Sequence, residues 1–145
     1  MAGCGKVCDQ QACLNRSVII VRRADGQPPN LAVDGEYDGK HFSCGGPSSD
    51  TTEISCQPDL TVYVRPTGKC QDESPGTATT TSCQPTDRFE EVIAISGTPR
   101  EVHLRLKSDT ALLAERTFAP SLTTSEPNGP GCGTCTQSQD VWNLP

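Results

Sequence analysis

Nine cysteines in a chain of 145 residues, with few large apolar side chains around them, constrain the fold more than any other feature. Hydrophobic residues make up 33% of the chain and aromatics 4%, against the roughly 45–50% apolar usage of ordinary globular domains, a figure that also counts glycine. A core drawn from so little material buries limited area and leaves hydrophobic stabilisation marginal. Cross-links are the usual remedy, because they reduce the entropy of the unfolded chain, and they persist where the environment is oxidising. The cysteine count therefore predicts an extracytoplasmic, disulfide-stapled domain.

Two segments suggest how four of these cysteines pair. Ser43-Cys44 runs through glycine, proline, serine and threonine to Ser55-Cys56-Gln57-Pro58, and Lys69-Cys70 runs through a similar stretch to Ser82-Cys83-Gln84-Pro85. The intervening residues are turn formers, which predicts Cys44–Cys56 and Cys70–Cys83 disulfides, each closing a surface loop. A loop of this size contributes about 3 kcal/mol by chain-entropy reasoning. Cys8, Cys13, Cys132 and Cys135 then remain, with three possible connectivities. Cys132-Gly133-Thr134-Cys135 can close on itself or join the amino-terminal pair. The second is favoured, since both flanks are poor in apolar residues and would otherwise fray.

An odd count leaves one cysteine over. The opening Met1-Ala2-Gly3-Cys4 resembles the end of a bacterial lipobox, commonly Leu-Ala-Gly-Cys, with Met1 standing where the leucine would be. The resemblance implies lipidation of Cys4 after removal of a signal peptide, and the multiple acyl chains of a lipoprotein would anchor it stably. No apolar run precedes Cys4, so the expectation is that the export signal has been trimmed away. The alternative is that Cys4 is a spare thiol or a disulfide partner.

The remaining pattern is that of strands. Ser17–Arg23 is a β-branched run, Leu60–Arg65 alternates, and Val102, Leu104 and Leu106 alternate with Glu101, His103, Arg105 and Lys107, the cleanest period-2 signal in the chain. A polar turn at Lys107–Thr110 leads to Ala111–Phe118, so residues 100–118 read as a hairpin. In Arg88–Ser96, Phe89, Ile93 and Ile95 share a face that Glu91 interrupts. Leu31–Tyr37 and Thr136–Leu144 are weaker candidates, and no helical period is sustained. The predicted fold is all-β, an antiparallel β-sandwich of about seven strands, with residues 1–16 as a cysteine-containing tether and 17–145 as a single domain. Glu101–Leu144, with Leu113-Ala114-Glu115-Arg116-Thr117-Phe118 and Glu126-Pro127-Asn128-Gly129-Pro130-Gly131-Cys132-Gly133-Thr134-Cys135, resembles the carboxy-terminal part of secreted proteins and lipoproteins of myxobacteria. Ser17–Gly26 is similar to the opening strand of transthyretin-like and carboxypeptidase-regulatory-like sandwiches. These resemblances imply a secreted or outer-membrane-anchored bacterial lipoprotein, and they carry no catalytic motif.

Chemistry is sparse. A net charge of −6 and a pI near 4.8 repel a phosphate backbone, which argues against nucleic acid. No run is long enough to span a bilayer, so membrane association is expected only through a lipid anchor. Cys132-x-x-Cys135 has redox spacing, but the residues after it do not read as the helix that stabilises a thiolate. Cys4, Cys8, Cys13, Cys132 and Cys135 hold enough thiols for zinc without the paired knuckles of a zinc ribbon. His41, in a loop, and His103, on a polar strand face, have no recognisable catalytic partners, and no hydrolase, phosphate-loop or metalloprotease motif is present. Asp34, Glu36 and Asp38 alternate and offer a calcium site, although surface carboxylates are usually only solvated. Asn15-Arg16-Ser17 matches a glycosylation sequon. The expectation is a non-enzymatic cell-surface module without cofactor or metal, binding an unknown protein or surface ligand, with self-association through strand edges possible. The alternative is a small metal- or thiol-dependent protein built on Cys8, Cys13, Cys132 and Cys135.

Overall fold

A computed structural model describes residues 15–47, 52–73, 80–126 and 133–145, apart from the side chains of 70–73 and 80–82. These residues form strands and no helix. In chain order the strands are β1 (Arg16–Arg23), β2 (Ala32–Tyr37), β3 (Lys40–Cys44), β4 (Glu53–Gln57) and β5 (Leu60–Glu73). They continue with β6 (Thr80–Ser96), β7 (Val102–Ser108), β8 (Ala111–Phe118), β9 (Thr123–Ser125) and β10 (Cys135–Leu144). A six-stranded sheet has the order β4-β5-β6-β1-β10-β9, and a four-stranded sheet the order β3-β2-β7-β8.

Both sheets feed one core. Ile19, Val21, Leu60, Val62, Ile93, Ile95, Trp142 and Leu144 come from the large sheet, and Val33, Phe42, Val102, Leu104, Leu106 and Phe118 from the small one. The alternation at Val102, Leu104 and Leu106 is the burial pattern of β7, each of the three fully buried, and the predicted hairpin to Ala111–Phe118 forms. At Gly35 the inner face of β2 has no room for a side chain, because a Cβ there would lie 2.0 Å from the His103 carbonyl oxygen and 3.0 Å from the Phe42 ring.

Three expectations are corrected. Ten strands are described, where about seven were expected, because the short strands β4 and β9 line the edges of the large sheet beside β5 and β10, and short β3 lines an edge of the small sheet beside β2. The large sheet is mixed rather than antiparallel: β1 pairs with β10 in parallel, from Arg16↔Gln137 to Arg23↔Leu144, and with β6 antiparallel. Strand β1 is buried on both faces, as its unbroken apolar run requires, and a strand of that kind is suited to a central, parallel-paired position. The segment from Cys70 to Cys83 is not a plain loop. Its arms extend the β5–β6 ladder to Glu73↔Thr80, with Cys70 directly opposite Cys83.

Among the described residues, strand β8 ends the small sheet and leaves one edge open. Two features blunt it. Leu113 is an extra residue between the Ala114 and Leu112 pairings, a bulge in the β7–β8 ladder. Arg116 occupies an inward position, opposite Leu104, with its guanidinium 4.6 Å from the centre of the Phe118 ring. A bulge and an inward charge are how natural sheets resist edge-to-edge addition. Replacing Arg116 with valine is expected to produce concentration-dependent self-association, seen as a rise in size-exclusion mass that the parent chain does not show. Identical elution of the two proteins would mean that Arg116 does not guard the edge.

Candidate functional site

The small sheet has a core face and a polar face, and period-2 alternation decides which residues meet on the second. From β2 come Asp34 and Glu36, from β3 His41 and Ser43, from β7 His103, Arg105 and Lys107, and from β8 Glu115 and Thr117. Pairing register arranges them in rows. One row runs His41, Glu36, His103 and Thr117, and the next runs Ser43, Asp34, Arg105 and Glu115.

Glu36 is the hub. Its Oε1 lies 3.2 Å from His41 Nδ1 and 2.7 Å from Arg105 Nη2, and its Oε2 lies 3.4 Å from His103 Nδ1 and 3.4 Å from Arg105 Nη1. The hydrogen-bonded guanidinium of Arg105 holds the Glu36 carboxyl below the usual carboxylate range, and Glu36 in turn raises Arg105. His103 Nε2 is 2.7 Å from Glu115 Oε2, and Arg105 Nη1 is 3.8 Å from the same oxygen. Beside them, Lys107 is ion-paired to Asp34, and Ser43 Oγ donates to Asp34 Oδ1 at 2.6 Å. Lys107 first, then Ser43, lowers the Asp34 carboxyl. Each charged side chain of this network has an opposite neighbour within it.

The tight turn Asp38-Gly39, with φ of 48° and 75°, joins β2 to β3 and places Tyr37 opposite Lys40. An Asp-Gly pair between strands is a strong hairpin signal, and it sets Glu36 opposite His41. His41 is therefore on a strand rather than in a loop, and His103 is in contact with two carboxylates. The suggested calcium group is not assembled. Asp34 and Glu36 are engaged by Lys107 and Arg105 while Asp38 is in the turn, and among the described residues no three His, Cys, Asp or Glu side chains are preformed around a metal position.

Of the cysteines, Cys44 and Cys56 are joined, with Cα atoms 5.5 Å apart, linking the end of β3 to β4. Cys83 and Cys135 each take part in a disulfide as well. Oxidation of Cys135 withdraws it from any thiolate zinc group, and a strand follows it where a redox Cys-x-x-Cys pair needs a helix. Cys4, Cys8, Cys13 and Cys132 lie outside the described residues. The Asn15 side chain accepts a hydrogen bond from the Thr136 amide at 2.8 Å, tying the start of β1 to the start of β10.

Two further carboxylates stand out. Glu90, buried on the outer face of the large sheet, accepts from Arg22 Nε at 2.9 Å and Arg65 Nε at 2.8 Å. Glu91 points the other way, into the core. It is fully buried, its Oε1 accepts the Leu31 amide at 2.8 Å, and its Oε2 has no partner among the described residues. Burial pushes its carboxyl up to about 7, against the lowering effect of the Leu31 amide.

No family model matches the chain, and comparison with curated proteins and with solved structures likewise finds no match.

Proposed function

We propose that this chain is an extracytoplasmic, non-enzymatic binding module: a disulfide-stapled β-sandwich, held at a bacterial surface through lipidated Cys4, that presents the polar face of its small sheet to a charged partner. The Cys44–Cys56 disulfide carries this reading, since such bonds form and persist in oxidising compartments. Oxidation of Cys83 and Cys135 supports it. The register opposite Cys83 favours Cys70 as its partner. The Asn15–Thr136 contact favours an amino-terminal cysteine as the partner of Cys135, because the parallel β1–β10 pairing sets the two chain starts side by side.

The reading is tested on the gene product expressed in a bacterial host with its natural upstream sequence. Mass spectrometry is expected to find Cys4 acylated at the mature amino terminus. Thiol titration after denaturation is expected to find no more than one reactive thiol. An unmodified Cys4 overturns the anchor, and several free thiols overturn the stapled extracytoplasmic module.

A further inference from the structure

We propose that Arg22 and Arg65, held on either side of Glu90 on the outer face of the large sheet, form a docking site for an extended acidic segment of a partner protein. The row is assembled by register. Glu90 on β6 pairs with Arg65 on β5, and Arg22 on β1 reaches it from the other side. Strand alternation turns all three away from the shared core, and the parallel β1–β10 pairing sets Asn143 beside Arg22. The next row on the same face is apolar and runs Tyr63, Val92, Ile20 and Val141.

Three observations point to a carboxylate ligand. The first is the charge count. In the small-sheet network cations and carboxylates are matched, whereas here two guanidiniums share one carboxylate, and neither meets a second acid among the described residues. The row therefore holds a surplus positive charge on a chain of net −6. The second is posture. Glu90 is buried, while the side chains of Arg22 and Arg65 are 42% and 45% exposed. Each arginine gives Nε to Glu90, at 2.9 and 2.8 Å, and its Nη donors have no partner among the described residues. The Tyr63 ring, 5.9 Å from Arg65 Cζ, steadies that side chain further. Planar donors held in this way match carboxylate oxygens, and little side-chain freedom remains to be lost on binding.

The third is the apolar row alongside. Val92 and Ile20 are buried there, and half-buried Tyr63 and Val141 pack against them. Rows on one face of a sheet are two residues, about 7 Å, apart. Side chains two positions apart in an extended peptide have the same spacing. A segment lying along the strands with an acidic residue two positions from an apolar one therefore sets its carboxylate over the arginines and its apolar side chain over the next row. The surplus favours such a segment over an anionic membrane or a nucleic acid. Those present charge over an area as large as the domain and meet the whole −6, whereas a short segment meets the row alone, because salt screens charges beyond about 8 Å. The site uses neither Cys4 nor the small sheet, so it stands apart from the reading above.

The test follows the arginine Nε–H resonances of the oxidised full chain by nitrogen-15 NMR at pH 7. The probe is an end-blocked pentapeptide, serine-glutamate-serine-leucine-serine, whose single charge is the glutamate. Saturable shifts of Arg22 and Arg65 are expected, weakening as salt rises, with none from the glutamine version of the peptide. Arg22→Gln and Arg65→Gln should each weaken binding about tenfold or more, and each keeps one guanidinium on Glu90. Arg100→Gln, which removes the same charge from the β6–β7 connection, should leave it unchanged. Arg22→Lys keeps a cation beside Glu90 but loses the planar fork, and should still weaken binding about threefold. Thermal melts report whether each variant is folded. No shift at millimolar peptide would overturn the proposal, as would equal binding of the glutamine peptide or undiminished binding by folded Arg22→Gln and Arg65→Gln. Sedimentation with phosphatidylglycerol vesicles that needs both arginines, without any response to the peptide, would overturn it in favour of a lipid surface.

Discussion

Replacing Glu91 with glutamine is expected to stabilise the protein by about 3 kcal/mol at pH 8 and to change little at pH 4. The unfolded chain releases the Glu91 proton near 4.5, the ordinary value for a glutamate, whereas the folded chain holds it up to about 7. Between those values the native state binds more protons than the unfolded state, so stability falls as pH rises through that window. The shift corresponds to roughly 3 kcal/mol at about 1.4 kcal/mol per pKa unit. Glutamine keeps a carbonyl for the Leu31 amide and has no charge to desolvate, so its stability loses this contribution to the pH slope. Leucine at the same position also removes the charge but leaves the Leu31 amide unpaired, which reduces the gain by about 1–3 kcal/mol. Urea unfolding of parent and variants at pH 4, 6 and 8 measures this. Parallel stability curves for the parent and Glu91→Gln would mean that Glu91 is not the buried acid described.

The Cys44→Ala/Cys56→Ala double variant is expected to lose about 3 kcal/mol, from the loop-closure entropy of a separation of 12 residues. Cys44 belongs to the shared core and ends β3, and Cys56 lies on β4 at the edge of the other sheet. The bond therefore holds an edge of one sheet to an edge of the other, where few other contacts resist separation. Equilibrium unfolding of the oxidised parent and the variant, with the other disulfides intact, gives the difference. A loss under about 1 kcal/mol would show that packing alone fixes β3 against β4.

Several elements of the fold are readable in the residues themselves. Alternation in 102–107 fixes both the strand and the face that turns inward, since a side-chain period of two follows from backbone geometry alone. The polar turn before Ala111 fixes the hairpin, because a short connection leaves antiparallel pairing as the available geometry. Cys44 and Cys56 are legible as a pair from their spacing and the turn formers between them. Glu91 is visible as an interruption of an apolar face, though its consequence depends on what covers that face. The Asp38-Gly39 turn is a readable signal for the pairing of Glu36 with His41.

The meeting of His41, Glu36 and His103 is a different matter. His103 lies 67 positions beyond Glu36 (103 − 36), and only the β2–β7 register brings them together. The parallel pairing of β1 with β10 joins Ser17 to Ser138 in the same way. Nothing in either segment's local pattern names its neighbour, because neighbours across a sheet are chosen by which faces bury together. The cysteine content and strand periodicity, both local properties, by themselves determined a β-rich chain in need of cross-links. Tertiary structure decided the mixed sheet, the inward Arg116, the acid in the core and the polar face, because each depends on long-range register, and register is set by the packing of one shared core.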